Sequence, residues 1–262
     1  MISGFDLSAT EYDNAFTYTP VGMLQRNSVY RYLKPYLSKS KGMHILEINC
    51  GTGEDALLMA EMGHSVLATD LSLEMLARGR AKAAEHQNIS FLQMDINRLA
   101  SVSLKEKADI IFSNFGGLNC ISPVQFRQFL NAAENKLDAN GLLIAVIMPK
   151  NCLWNRLYSL LKGKPKMSRR RNSTKAVKVE VEGIMVDTWY YNPKEIEDYA
   201  KSSFRRKLLK PIGFLVPPSY LNAFFKKKKG LLSMLAWFDK KLFPFNFLSA
   251  YADHFIIVLE KK

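Results

Sequence analysis

Cysteine and histidine are scarce in this 262-residue chain, and long apolar runs are missing altogether. The three cysteines, Cys50, Cys120 and Cys152, include no C-x-x-C pair. A sparse, odd-numbered set excludes a disulfide framework and a cysteine-rich structural metal site, and a reducing cytoplasm is the simplest compartment. No metal is expected. No stretch of about 18 apolar residues occurs, so no membrane-spanning helix is expected. The opening residues, MISGFDLSATEYDNAF, lack a basic start followed by an apolar run and do not read as a secretory signal. Acid is short too: 24 Asp and Glu against 37 Lys and Arg leave a formal charge of +13. That excess steers anions such as anionic lipid, nucleic acid or a phosphorylated substrate. Solvated lysines that only keep a protein dispersed would give the same count.

What is present is the patterning of an α/β domain. A content of 48% hydrophobic and 23% charged residues excludes a disordered chain. Strand-like runs are expected at His44–Asn49, Ser65–Asp70, Ile89–Asp95, Ala108–Phe115 and Leu142–Met148. Helix-period segments alternate with them at Glu54–Met62, Leu73–His86 (Ser72 as N-cap) and Pro123–Leu137, the last ending in a turn at Asn140-Gly141. That alternation implies parallel pairing through right-handed crossovers, and LLIAVIM suits a strand covered on both faces. Further strands are expected within Ala176–Tyr191, at Leu208–Leu215 and at Asp253–Glu260, with a helix after Asn192-Pro193.

The segment ILEINCGTG carries the most chemistry. A loop after a first strand must approach a ligand closely, and glycines at 51 and 53 permit it. Asp70 ends the second strand, where a carboxylate can accept ribose hydroxyls. Asp95 ends the third, within reach of an adenine amino group. Gly51-x-Gly53-x-x-Ala56 also fits the loose dinucleotide fingerprint, so a nicotinamide cofactor is a rival. Glu47 argues against it: a polar group there suits the ammonium of a methionine moiety, whereas a pyrophosphate has no use for it.

At these residues a resemblance emerges. ILEINCGTGEDAL and VLATDLSLEML resemble the first two motifs of class I methyltransferases that use S-adenosylmethionine (SAM). FLQMDI and ADIIFSNFGGLN are similar to the third- and fourth-strand motifs. The match covers Lys41–Pro149 and is nearest in type to small-molecule methyltransferases of the ubiquinone/menaquinone kind. It implies a Rossmann-like, mostly parallel seven-stranded sheet with helices on both faces. It also implies a methionine pocket at Glu47, Asn49, Gly51, Thr52 and Gly53, a ribose site at Asp70 and Leu71, and an adenine site at Met94 and Asp95. Ser113, Asn114 and Phe115 would form the floor near the sulfonium, Tyr12 would close over it, and Arg26 would meet the cofactor carboxylate. The family usually has glycine where this chain has Asn49, and asparagine is the residue that best tolerates left-handed backbone in its place.

Four histidines limit the choice of a base. His44, His64 and His86 fall at the edge of the sheet away from the loop. His254 starts a final strand that in this fold runs antiparallel, so it alone reaches the reactive edge; its other reading is a packed residue bonded to a loop carbonyl. The chain is expected to be one domain: an N-terminal cap (1–40), a SAM-binding core (41–149), a basic insert (150–191) and C-terminal strands (192–262) with a lid at 216–252. Cap, insert and lid would enclose a hydrophobic acceptor. The last insert combines lysines with LLSMLAWF and FPFNF, so contact with an anionic membrane is the alternative to a lid. O-methylation of a lipid, quinone-like or phenolic acceptor is the leading expectation. An RNA substrate, suggested by Arg169–Arg171, and a non-catalytic membrane-surface scaffold are the rivals.

Overall fold

The computed structural model describes residues 9–181, 184–242 and 244–262, so residues 1–8 of the expected cap lie outside it. Helix α1 (Pro20–Leu37) leads into β1 (His44–Ile48), α2 (Glu54–Glu61), β2 (Ser65–Asp70), α3 (Leu73–Lys82) and β3 (Ile89–Gln93). Then come β4 (Ala108–Ser113), α4 (Pro123–Lys136), β5 (Leu137–Ile147) and α5 (Leu153–Leu161). A hairpin of β6 (Val177–Val181) and β7 (Ile184–Thr188) follows. The chain continues through α6 (Pro193–Ala200), β8 (Phe204–Ile212), α7 (Asn222–Lys226), α8 (Lys229–Lys241) and β9 (His254–Lys261).

Seven strands form one sheet in the order β3-β2-β1-β4-β5-β9-β8. The first five run parallel, and β9 pairs antiparallel with both β5 and β8. Strand order reverses between β1 and β4, which opens a crevice at their carboxyl ends where ligands of open α/β sheets bind. Apolar side chains cover both faces. Leu46, Ile48 and Ile111 pack with Phe126 and Phe129 of α4, and Ile45 and Ile110 with Val29 and Leu33 of α1 and Met59 of α2.

Local chemistry fixes the helix starts. The Ser72 hydroxyl accepts from the Met75 amide at 3.1 Å, and Ser122 forms a capping box with Gln125. Thr19 caps α1 by accepting from Gly22 at 3.0 Å, with Pro20 in the first turn.

Several boundaries move from those expected. The third strand stops at Gln93, leaving Asp95 to cap a short 3-10 turn. Helix α3 stops at Lys82. Strand β8 starts at Phe204, because pairing with β9 extends beyond its apolar run. Strand β5 starts at Leu137, which already pairs with Ala108; the expected turn survives as an irregularity with Asn140 at φ +60°.

The insert expected as a lid divides in two: Pro218, Ser219 and Tyr220 line the cavity described below, whereas the helices that follow lie elsewhere. Helices α7 and α8 pack against the outer side of α1, where Val21, Val216, Phe225, Leu232 and Ala236 form a separate apolar cluster. The buried Asp239 of α8 accepts from the Leu215 amide at 2.8 Å and ties the helix to the loop after β8. Apolar contact with α1 therefore positions α7 and α8, while the start of the insert stays at the cavity.

Gly22 shows how tightly the N-terminal segment is seated, since a Cβ there would collide with the carbonyl of Phe16. Gly22→Ala should lower the urea unfolding free energy by about 1–3 kcal/mol, as overpacking against backbone does. Gly230→Ala, in a helix with open space around it, should be neutral or stabilising by up to about 1 kcal/mol.

Candidate active site at the carboxyl edge of the sheet

The loop after β1 places three residues in left-handed backbone: Asn49 (φ +58°), Gly51 (φ +53°) and Gly53 (φ +78°). Asparagine at 49 thus meets the conformational demand that a glycine would meet. Gly53 has a second reason to lack a side chain, because a Cβ would sit 3.3 Å from both Gly79 and the Phe91 ring. The Gly51 amide donates to Asp70 Oδ2 and the Ser72 amide to Oδ1, each at 2.9 Å. Asp70 is oriented by its own loop and lines a cavity of about 1040 Å³.

Of the residues singled out from the sequence, Tyr12, Arg26, Asn49, Gly51, Thr52, Asp70, Leu71, Asp95, Asn114, Phe115 and His254 line this cavity. Glu47, Gly53, Met94 and Ser113 do not. Met94 packs in the apolar core, and Ser113 is fully buried beneath the floor. Asp95 accepts from both the backbone and the side-chain nitrogen of Asn97 at 2.9 Å.

Glu47 is buried, and its Oε2 has no hydrogen-bond partner among the described residues. Burial and the nearby Asp55 push its carboxyl well above the ordinary range, against the opposing pull of Arg26. A second acid, Asp55, was passed over by the sequence reading yet organises the site. It accepts from Arg26 Nη1 at 2.5 Å, Tyr30 Oη at 2.7 Å and Asn114 Nδ2 at 2.9 Å. Arg26, expected to face a cofactor carboxylate, is ion-paired with Asp55 and stacked 5.2 Å from the Phe115 ring centre. Burial opposes its charge, and Asp55 more than restores it.

Aromatic rings wall the cavity in a row: Tyr12 to Phe16 at 5.7 Å, Phe16 to Phe115 at 5.3 Å and Phe115 to His254 at 5.5 Å. Burial raises the Tyr12 phenol to about 12, so it is neutral at physiological pH. A polar clamp holds this N-terminal segment over the loop. Thr52 Oγ1 donates to Asp13 at 2.7 Å, and Lys82 Nζ reaches Asp13 and Glu54 at 2.5 Å each.

His254 lies at the start of the antiparallel β9 and lines the cavity at the carboxyl edge of the parallel strands. Its Nδ1 is 3.3 Å from Asp253 Oδ2, close enough for an ion pair but without hydrogen-bond geometry. Burial alone would raise Asp253, but His254, Arg171 and Gln25 hold it well below the usual carboxylate range. Arg171 Nη2 contacts Asp253 Oδ1 at 3.1 Å, and Gln25 Nε2 donates to Oδ2 at 3.1 Å. No described group of three or more His, Cys, Asp or Glu side chains is arranged to hold a metal.

A family model described as a methyltransferase domain matches residues 45–141, the stretch that carries the loop and the first four strand ends. Residues 45–141 are therefore assigned to the methyltransferase domain family. A demethylmenaquinone methyltransferase of Clavibacter sepedonicus is 30% identical over 142 residues, 53% of this chain and 54% of that relative. An uncharacterized protein of Methanocaldococcus jannaschii is 24% identical over 246 residues, 91% of this chain and 89% of the other. The chain spans 53% of the first curated relative's length and 22% of the second's. The fold of the chain also superposes on the N-methyltransferase NodS of Bradyrhizobium japonicum, solved with S-adenosyl-L-homocysteine (SAH). That likeness has a TM-score of 0.55 at 12% identity over 94% of this chain and 89% of the other, and it establishes the fold alone.

The domain's buried acid gives a direct test. A carboxyl whose folded pKa is raised favours folding while protonated and opposes it as pH climbs above the unfolded value of about 4.3. Glu47→Gln removes that opposition. Its advantage in thermal midpoint over the parent, without ligand, should grow from pH 5 to pH 8; a constant difference would refute the assignment.

Proposed function

We propose that this protein transfers a methyl group from SAM to an oxygen of a hydrophobic small molecule such as a lipid, a quinone-like ring or a phenol. The lining of the cavity carries this reading. One end is built by the loop and strand ends of the methyltransferase domain, the other by Tyr158, Met167, Val186, Tyr190 and Tyr220, within one space of about 1040 Å³. Pockets for a single drug-sized ligand run from about 300 to 1,000 Å³, so a cofactor and an acceptor can lie side by side.

The polar groups left over fit SAM. Glu47 Oε2 and Asn49 Oδ1 are buried without partners among the described residues at the end of β1. A buried carboxyl that is costly to ionise alone suits an ammonium, while a pyrophosphate would add repulsion. Asn49, Gly51 and Thr52, with Glu47 buried behind them, would hold the methionine end, Asp70 the ribose hydroxyls, and Asp95 with Leu71 and Asn97 the adenine. SAM supplies a methyl group on a sulfonium that is displaced in line.

The chain's own share is to orient the acceptor, exclude water and receive a proton. Phe16, Phe115 and Tyr12 cover the junction between the two ends and keep water out. His254 borders that junction with the ionised Asp253 beside it, so an imidazolium formed on deprotonating an acceptor hydroxyl is stabilised where it arises. A nucleic-acid acceptor is less well supported. Arg171, in the middle of the basic run, is buried on Asp253 and cannot serve a phosphate backbone.

Calorimetric titration separates the readings. SAM and SAH should bind and NAD should not. Asp70→Ala should weaken SAM about 10- to 100-fold, the worth of one or two charge-assisted hydrogen bonds. Failure of a folded sample to bind either sulfur compound would remove the enzyme in favour of a non-catalytic scaffold. With an acceptor found among phenols, quinols and lipids, His254→Ala should cut turnover about 10²- to 10⁴-fold at unchanged SAM affinity. Full turnover would remove the base.

A further inference from the structure

Helix α8 is apolar on two opposite sides. Leu232 and Ala236 face inward, buried in the cluster on α1. At about 100° per residue, Leu231, Met234, Trp237 and Phe238 fall on the other side, and all four are exposed, Trp237 by 53%. One protein body can cover only one side of a surface helix, so the outward stripe needs another explanation.

The stripe is part of a wider apolar face. Phe224 of α7 is exposed, and Phe245 and Phe247 follow α8 with Phe247 exposed by 67%. Edge contact between Trp154 and Phe225 (6.2 Å) joins α7 to α5, which exposes Leu153, Leu157, Leu160 and Leu161. Lysines are interleaved with these groups. Between residues 222 and 250 there are six lysines, all exposed, and one acid, Asp239, which is buried. Lys228 Nζ lies 4.2 Å from the Phe224 ring centre and Lys241 Nζ 5.3 Å from that of Trp237.

We propose that the face formed by α5, α7 and α8 docks on an anionic lipid bilayer. Aromatic and leucine side chains would enter the headgroup boundary, and the lysines would meet the lipid phosphates. Charge selects this occupant. A second copy placed face to face would set six lysines against six, whereas an anionic surface neutralises them. No described helix is long and apolar enough to cross a membrane, so the contact is peripheral. The face also reaches the cavity, since Tyr158 of α5 lines it. A corollary, resting on the acceptor proposed above, is that a lipid-soluble acceptor is drawn from the layer on which the protein rests.

The test is co-sedimentation of the full chain with phosphatidylcholine vesicles, with and without phosphatidylglycerol. It needs neither cofactor nor acceptor, so its failure would leave the methyltransferase reading intact. Binding should require phosphatidylglycerol and weaken with salt. The triple variant Lys226→Gln, Lys227→Gln and Lys228→Gln should bind on the order of 100-fold more weakly, at about 1 kcal/mol per lysine. Trp237→Ser with Phe238→Ser, both exposed and tolerable to the fold, should abolish binding while leaving the thermal midpoint in place. Equal sedimentation without phosphatidylglycerol, or full binding by the Trp237/Phe238 variant, would overturn the proposal. So would a dimer in sedimentation velocity that this variant dissolves, without vesicle binding, which would assign the face to a second copy.

Discussion

The carboxylate of Asp55 is the tie on which the site depends. It is buried, and it takes hydrogen bonds from α1 through Arg26 and Tyr30 and from the end of β4 through Asn114. Two parts of the chain that share no sequence neighbourhood are thereby fixed to the start of α2. Removing one partner of a buried ion pair typically costs about 3–5 kcal/mol, because the other charge stays behind uncompensated. Here the loss would also release α1, whose Arg26 stacks on Phe115 of the aromatic wall. Stability and the shape of the cavity are the same interaction seen from two sides.

Strain collects in the turn that follows β4. Phe115 holds φ +39°, an unusual value for a bulky residue, and Gly116 follows at +79°. The Phe115 amide is satisfied by Asn114 Oδ1 at 2.9 Å, and its ring is gripped by Phe16, His254 and Arg26. A non-glycine residue persists in such backbone only where its surroundings over-determine it. The aromatic row and the strained turn therefore support each other.

The sheet was legible because period-2 and period-3.6 patterns alternate cleanly from Lys41 to Pro149, and Asp70 because it ends a strand beside a glycine loop. Asp55 was not, since an acid in the first turn of a helix reads as ordinary dipole complementation. Its partners lie 25, 29 and 59 residues away in the chain. Arg171 was hidden inside a run of like residues that reads as a solvated surface, yet it alone turns inward onto Asp253. The lysine-flanked insert was legible as amphipathic but not in its placement. Helix α8 is apolar enough to pack on either side, and only its contact with α1 decides which side is left over.

Strand β9 occupies an interior place in the sheet, between β5 and β8. Its six leading residues, His254 to Leu259, are all buried. On a ribosome the parallel half can pair early, but β8 has no neighbour until residue 261 has been made. Edge β5 stays open for more than a hundred residues of further synthesis, with its ladder groups unpaired. Such late, long-range pairing slows folding and exposes the nascent chain to wrong partners. The reversed strand that brings His254 to the cavity thus also makes completion of the sheet wait on a segment more than a hundred residues downstream of β5.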